Sequence, residues 1–328
     1  EKTAKDDKEK TAKDDKEKTN KDDKEKTAKD DGDADGDGYN DTEFSIVTSA
    51  GYVAEEPGPL EDDRELFPLG FVTSGNINLY VMGSLDAKKL ETDDRVLAEQ
   101  DVSIHKGTLC KEPRREIKGD RNCIRAKMDL DLKQVTFATS GAKAGGSVTE
   151  QDVEFSETRG SLKADAAIGI DMEKLHDKAY SLVPLFGKIV NTMTFADGVL
   201  AGDKKLNVIS MTAEELESIR EVKLTKQNPT VVINILGTSP ELTKFTMHQD
   251  LHGPRTLLNF PEVLPQDTIK LHKFSMHGAF VTVGKVDMKK STIKGQVITG
   301  HLDVDQSFIY MERFSGRSHL RTGAVIMD

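Results

Sequence analysis

"GAFVTVGKVDMKKSTIKGQVITGHLDV", residues 278–304, is the stretch whose reading decides the fold. It is built of short bursts of β-forming residues cut by glycine at Gly278, Gly284, Gly295 and Gly300. Bursts this short, bounded by glycine and charge, read as strands with tight turns between them. Val281, Val283, Val286, Ile293, Val297 and Ile298 are the expected core or strand positions, and the four glycines the expected corners. The stretch holds no cysteine and no nucleophile beside a base, and in sequence its one histidine, His301, has no evident partner. It reads as scaffold without chemistry.

The same texture extends upstream. "INLYVMGSLDA" (77–87), "RVLAEQDVSI" (95–104) and "AKMDLDLKQVTFATSG" (126–141) alternate apolar and polar residues between Gly, Asp and Ser. So do "KLNVIS" (205–210), "TVVINILG" (230–237), "RTLLNF" (255–260) and "TIKLH" (268–272). Two segments break the pattern. Residues 170–190 place Met172, Leu175, Ala179 and Leu182 on one helical face, with Pro184 bending or ending the helix. Thr212 and Glu215 have the spacing of a capping box at the start of a short helix over 212–219. Many short strands at regular intervals mean a sandwich, a barrel or a solenoid. Glycine punctuation favours stacked β-helix coils, and the lack of a strict period makes any such helix irregular.

The first 31 residues are of another kind. EKTAKDDK occurs twice, EKTNKDDK follows, and EKTAKDD runs into Gly32. Acidic and basic residues balance in each unit and nothing in it can be buried, so residues 1–31 are expected to be a disordered, solvated spacer. Next, Asp33, Asp35, Asp37, Gly38, Tyr39 and Asp41 fall at positions 1, 3, 5, 6, 7 and 9 of a calcium loop. Alternate carboxylates converge on a hard cation and the glycine permits the sharp turn. The last position departs from the pattern, with Phe44 where a bidentate carboxylate belongs and Glu43 one place early. Ca2+ held by Asp33, Asp35, Asp37, Tyr39, Asp41 and Glu43 over 32–44 is the expectation, the loop resembling those of thrombospondin type 3 repeats. Residues 45–62, with "EEPGPLEDD", read as a linker.

Bulk properties exclude several partners. The 328-residue chain carries a net charge of −11, which argues against nucleic acid. No apolar run approaches the ~20 residues of a membrane span. The chain begins at Glu1 without a leader, which suggests a mature chain or a fragment. Cys110 and Cys123 could pair or stand as separate thiols, and pairing would favour a secreted protein.

Catalytic patterns are not found. His248 and His252 are four apart, but Gly253-Pro254 follows and Gln249 stands where a metalloprotease has Glu. His272 and His277 lack a carboxylate at a telling spacing. Asp129 and Asp131 would share the solvent side of one strand, with Met128, Leu130 and Leu132 facing the core. Threonines are scattered rather than ranked in T-x-T order.

The order of segments resembles one family. "LGFVTSGNINLYVMGSLDA" (69–87), "KLNVISMTAEEL" (205–216), "PTVVINILG" (229–237), "RTLLNFPEV" (255–263), "HGAFVTVGKVDMKKSTIKGQVITGHLDV" (277–304) and "MERFSG" (311–316) follow one another as in the ice-binding-like adhesive domain of choice-of-anchor A surface proteins. Asn207, Asn234, Asn259 with Phe260, Gly295 with Gln296, and Phe314 with Gly316 stand where that pattern has them. "GAFVTVGKVD" lacks its Ala-Pro, and Leu258 replaces its aromatic. The resemblance implies an all-β, irregular right-handed β-helix solenoid with one or two supporting helices over 63–316, followed by a tail at 317–328. It also implies a non-enzymatic adhesin, extracellular or on the cell surface, whose anchor lies outside this chain. Partners would be matrix proteins, glycans or other surfaces. A self-associating coat component and a β-helical carbohydrate-active enzyme using Asp129 and Asp131 are the alternatives.

Overall fold

In the computed structural model, which describes residues 77–111, 122–139, 141–156, 160–165 and 172–310, almost every strand pairs in parallel with strands one coil before and one coil after it. The first coil is made of Ile77–Val81, Leu85–Ala87 and Leu90–Thr92, one strand on each of three faces. Among the described residues the faces are parallel sheets of ten, eight and seven strands, the stacking of a β-solenoid. Residues 1–76 and 311–328, and with them the repeat and the calcium loop, lie outside the described residues.

Coils are not stacked in chain order. From the first coil the chain winds outward through coils that begin at Arg95, Asn122, Gly141 and Leu162. Helix α1 (Met172–Gly187) follows, and the chain re-enters at the opposite end of the ten-stranded sheet with strand Leu206–Met211. It then winds back through strands beginning at Thr230, Thr256, Ala279 and Val297. The last described coil therefore docks on the first, with Tyr80 beside Ile298, Asp86 beside Asp303 and Glu91 beside Phe308. Backbone bonds close this seam, among them Met82 N to Thr299 O at 2.8 Å and Lys88 N to Val304 O at 2.9 Å.

Side-chain pattern separates the faces. In the ten-stranded sheet, "TVVINI" and "TLLN" are buried at every position, as parallel strands covered on both sides must be. One side faces the solenoid interior through Val231, Ile233, Leu258, Phe280 and Val297. The other receives α1, where Ala179, Val183 and Phe186 meet Tyr80, Val208, Val232, Leu257 and Ile298. Pro184 sits inside α1 at an exposed position and does not end it. Ala179 is buried as expected; the side chains of Met172, Leu175 and Leu182 are outside the described ones. The other two sheets keep one face in solvent and alternate, as in "LDLK" and "HLDVD".

Two kinds of corner turn the coils. Between the ten- and eight-stranded sheets glycines stack: a Cβ on Gly300 would lie 2.0 Å from Val283 O, and one on Gly83 2.6 Å from Gly300 O. Between the eight- and seven-stranded sheets a single non-glycine residue with positive φ makes the bend, at Gln134, Asp152, Lys273, Lys290 and Gln306. These corners carry no breaker, so "AKMDLDLKQVTFATSG" reads as one run while it spans strands on all three faces. Buried Ser291 and Ser307 line the same corners, Ser291 Oγ donating to Leu271 O and Ser307 Oγ to Met288 O.

The re-entry end carries a cap. Strands Met193–Ala196, Val199–Gly202 and Glu221–Leu224 form a small sheet, and helix α2 (Ala213–Glu217) starts in the anticipated capping box. Thr212 Oγ1 accepts from Glu215 N while the Glu215 carboxylate accepts from Thr212 N. Cys110 and Cys123 are joined in a disulfide, both buried, tying strand Gly107–Leu109 to Asn122–Ala126.

Candidate functional site

Two flat faces of the solenoid present side chains in rows, one residue per coil. On the eight-stranded sheet the outward row reads Thr149, Asp131, Ser103, Asp86, Asp303, Asp287, Lys270, Glu241. Three aspartates, Asp86, Asp303 and Asp287, are direct neighbours across the seam, about 4.8 Å apart per strand. Histidines flank them: His301 Nε2 is 3.3 Å from Asp303 Oδ1, and His272 Nε2 is 3.4 Å from Asp287 Oδ2. His301 therefore has a partner two residues away on its own strand.

On the seven-stranded sheet the row reads Glu154, Thr136, Thr108, Glu91, Phe308, Thr292, Ser275, Thr246. Hydroxyls scattered through the sequence are thus gathered in line by stacking. Glu91 and Phe308 interrupt the line in its middle, so no unbroken hydroxyl rank forms. A second aromatic, Tyr310, lies on the same side of the same strand as Phe308. A search along the chain misses both rows, because neighbours in a row are a whole coil apart in sequence.

The other named residues fall apart rather than together. Asp129 precedes strand Leu130–Lys133, in the corner before it, whereas Asp131 lies within that strand; both are exposed. It accepts from Ser147 N at 2.7 Å and Ser147 Oγ at 2.9 Å, bonds that hold its carboxyl below the usual carboxylate range. Met128, expected in the core, is half exposed in the same corner, whereas Leu130 and Leu132 are buried. His248 Nδ1 accepts from Asp250 N and lies 3.4 Å from Asp250 Oδ2, while the His252 ring meets the edge of His277. Among the described residues, no group of three or more His, Cys, Asp or Glu is arranged to hold a metal ion.

Buried polar groups serve the attachment of α1. The Tyr80 hydroxyl donates to Glu99, whose Oε1 is also 3.2 Å from His176 Nδ1 on the helix. Burial, then this bond, pushes the Tyr80 phenol far above its ordinary pKa. On the continuation of the Tyr80 row, Arg125 is buried, and burial followed by the nearby charge of Arg95 brings it down to about 10. Asn234 and Asn259 bond the carbonyls of Phe186 and Val183 at the helix end, and Asn207 closes its own loop by donating to Lys204 O.

Rigid stacked coils with two solvated, side-chain-ranked faces define the class: a β-solenoid scaffold that displays surfaces. The chain belongs to the family described as "Putative Ice-binding-like adhesive domain", whose model matches residues 70–309. No curated protein and no solved structure matches the chain. No helix among the described residues is long and apolar enough to cross a membrane.

Proposed function

We propose that this chain is the adhesive part of an extracellular or cell-surface adhesin of the choice-of-anchor A kind, working by binding rather than turnover. The family match carries this reading. The disulfide supports an oxidising, extracellular location, since such bonds are rare in reducing compartments. Parallel sheets locked coil on coil give a large rigid surface, so the scaffold loses little conformational entropy of its own when a partner docks. In this reading the repeat at 1–31 serves as a spacer, the loop at 32–44 binds Ca2+ through Asp33, Asp35, Asp37, Tyr39, Asp41 and Glu43, and 45–62 is a linker. The ligands are matrix proteins, glycans or other surfaces.

The test is adhesion of the full chain to surfaces coated with matrix proteins or glycans, with and without calcium. Saturable binding to at least one coat is expected. Absence of binding to every coat, together with self-association, would replace the adhesin by a coat component. For the loop, calorimetry should show calcium uptake that Asp35→Ala abolishes; equal heats would remove calcium from the account.

A further inference from the structure

The acidic row on the eight-stranded sheet has a companion. Alternation puts residues i and i+2 of a strand on one face. Beside Asp287, Asp86 and Asp131 the same face therefore carries Lys289, Lys88 and Lys133, about 7 Å away along each strand. Register aligns these lysines in a second row. Lys289 pairs with Asp305, and Lys88 follows Ala87, the partner of Val304, so it stands level with Asp305. His105 and Lys133 continue the row, following the paired residues Ile104 and Leu132. Backbone bonds from Lys88 N to Val304 O and from His105 N to Ala87 O keep the corner residues on this ladder. Asp86, Lys88, Asp131 and Lys133 are all exposed, and among the described residues they form no ion pair.

A flat face striped with one negative and one positive row is complementary to itself in one arrangement. A two-fold axis in the contact plane, midway between the rows and parallel to them, lays each acidic row on the basic row of a second copy. The same axis keeps every coil opposite its own counterpart, which fixes the register. Asp86 meets Lys88 of the second copy, Asp131 meets Lys133 and Asp287 meets Lys289, each contact being made twice. An axis lying across the rows would instead set acid on acid. Two meetings in the complementary arrangement lack opposite charge, Asp303 with Asp305 and Lys270 with His272. Each is relieved from within, since Lys289 lies 3.8 Å from Asp305 and Asp287 3.4 Å from His272. Other occupants fit less well. A polyanion is repelled by the acidic row and a polycation by the basic one. A protein held by apolar anchors finds none among the polar outward positions of these strands.

We infer that the eight-stranded face pairs with the same face of a second copy of this chain, acidic row on basic row, and that this contact joins surfaces that carry the protein. The pairing follows from charge pattern and symmetry, whereas its role in joining surfaces rests on the adhesin reading. A polar face without an apolar centre holds weakly, so the pair is sparse in dilute solution and gains strength where many copies are displayed together. Both rows are solvated, so salt weakens the contact.

The experiment follows self-association of the full chain by sedimentation at rising protein concentration and by clustering of beads coated with it, at low and high salt. Wild-type association that salt suppresses is expected. Asp86→Lys with Asp131→Lys puts lysine in both rows at these coils, and Lys88→Asp with Lys133→Asp puts aspartate in both. Each double variant should weaken self-association about tenfold or more. An equal mixture of the two should associate again, since positive coils then meet negative ones. Asp86→Asn with Asp131→Asn, which keeps side-chain size, should also weaken association, and it decides the matter should a reversed-charge variant fail to fold. No self-association of the wild type, association unchanged in the variants, or folded variants that stay apart when mixed overturns the pairing. Wild-type adhesion to a matrix-protein coat without self-association would also overturn it, yet leave the adhesin reading standing. Self-association rescued by mixing, with adhesion to no coat, would do the reverse.

Discussion

Asn259 Nδ2 donates to Asn234 Oδ1 at 2.8 Å and to Val183 O at 2.9 Å, while Asn234 Nδ2 reaches Phe186 O at 2.9 Å. The two asparagines are register partners on adjacent strands and both are fully buried. Together they satisfy carbonyls in the last turn of α1, which has no basic residue there to do so. Asn259→Ala leaves Val183 O and Asn234 Oδ1 buried without this donor, an expected loss of about 2–3 kcal/mol. Urea unfolding measures it. A loss below about 0.5 kcal/mol would mean that the ladder does not hold the helix.

Gly295 shows the tightness of coil stacking. A Cβ there would lie 1.9 Å from the carbonyl oxygen of Gly278, a backbone atom of the preceding coil that cannot rotate away. Gly295→Ala is expected to destabilise by about 3 kcal/mol through overpacking. Gly253→Ala is the control, since nothing lies within 4 Å of its Cβ position. Thermal midpoints that fall equally in both variants would contradict the stacking argument.

Tyr80 links stability to alkaline pH. Its folded pKa is raised by burial and by Glu99, so above the ordinary phenol value of about 10 the unfolded chain releases a proton that the folded chain keeps. The folded state then binds more protons, the slope of unfolding free energy against pH is negative, and stability falls as pH rises beyond about 10. Tyr80→Phe should flatten that slope. Of the five tyrosines, at least one should also resist phenolate titration until the protein unfolds. Full titration of all five in the folded state would refute the buried assignment.

Asp86 sits beside Asp303, which in turn sits beside Asp287. Like charges opposite one another on paired strands repel, so Asp86→Asn should raise stability by about 0.5 kcal/mol at low salt. The gain should shrink as salt is added, because these side chains are solvated and screened. Midpoints that drop in the variant would show that the acidic row is stabilised by a bound cation or partner.

The Cys110–Cys123 bond closes a loop of sequence separation 13. Reduction is expected to lower stability by about 3 kcal/mol in the chain-entropy model, with β content retained at room temperature. Complete unfolding on reduction would assign the bond a larger part in the fold.

Much of the scaffold was legible in the chain itself. Glycine corners, alternating bursts and the Thr212–Glu215 capping box are local signals, each set by backbone sterics and nearest neighbours. Local rules also fixed the inward residues Val286, Ile293 and Val297, which are buried. They failed at Met128, because the corner at Lys127–Asp129 ended the strand before it. They failed again at Gln134, where a positive-φ residue turns the chain without a glycine. His301 looked solitary although Asp303, two positions on, lies on the same face of its strand.

What sequence alone determined, then, is that this chain makes short strands, where its helices start, and which side of most strands is apolar. Only the tertiary structure decided that the last coil returns to the first, placing Glu91 beside Phe308 and Asp86 beside Asp303 across more than 200 residues. Backbone hydrogen bonding between parallel strands is indifferent to sequence distance, so which coils meet is set by how α1 carries the chain to the far end and how much surface each pairing buries. The ranked faces of the solenoid are made by that choice: rows drawn one residue at a time from coils that no local pattern connects.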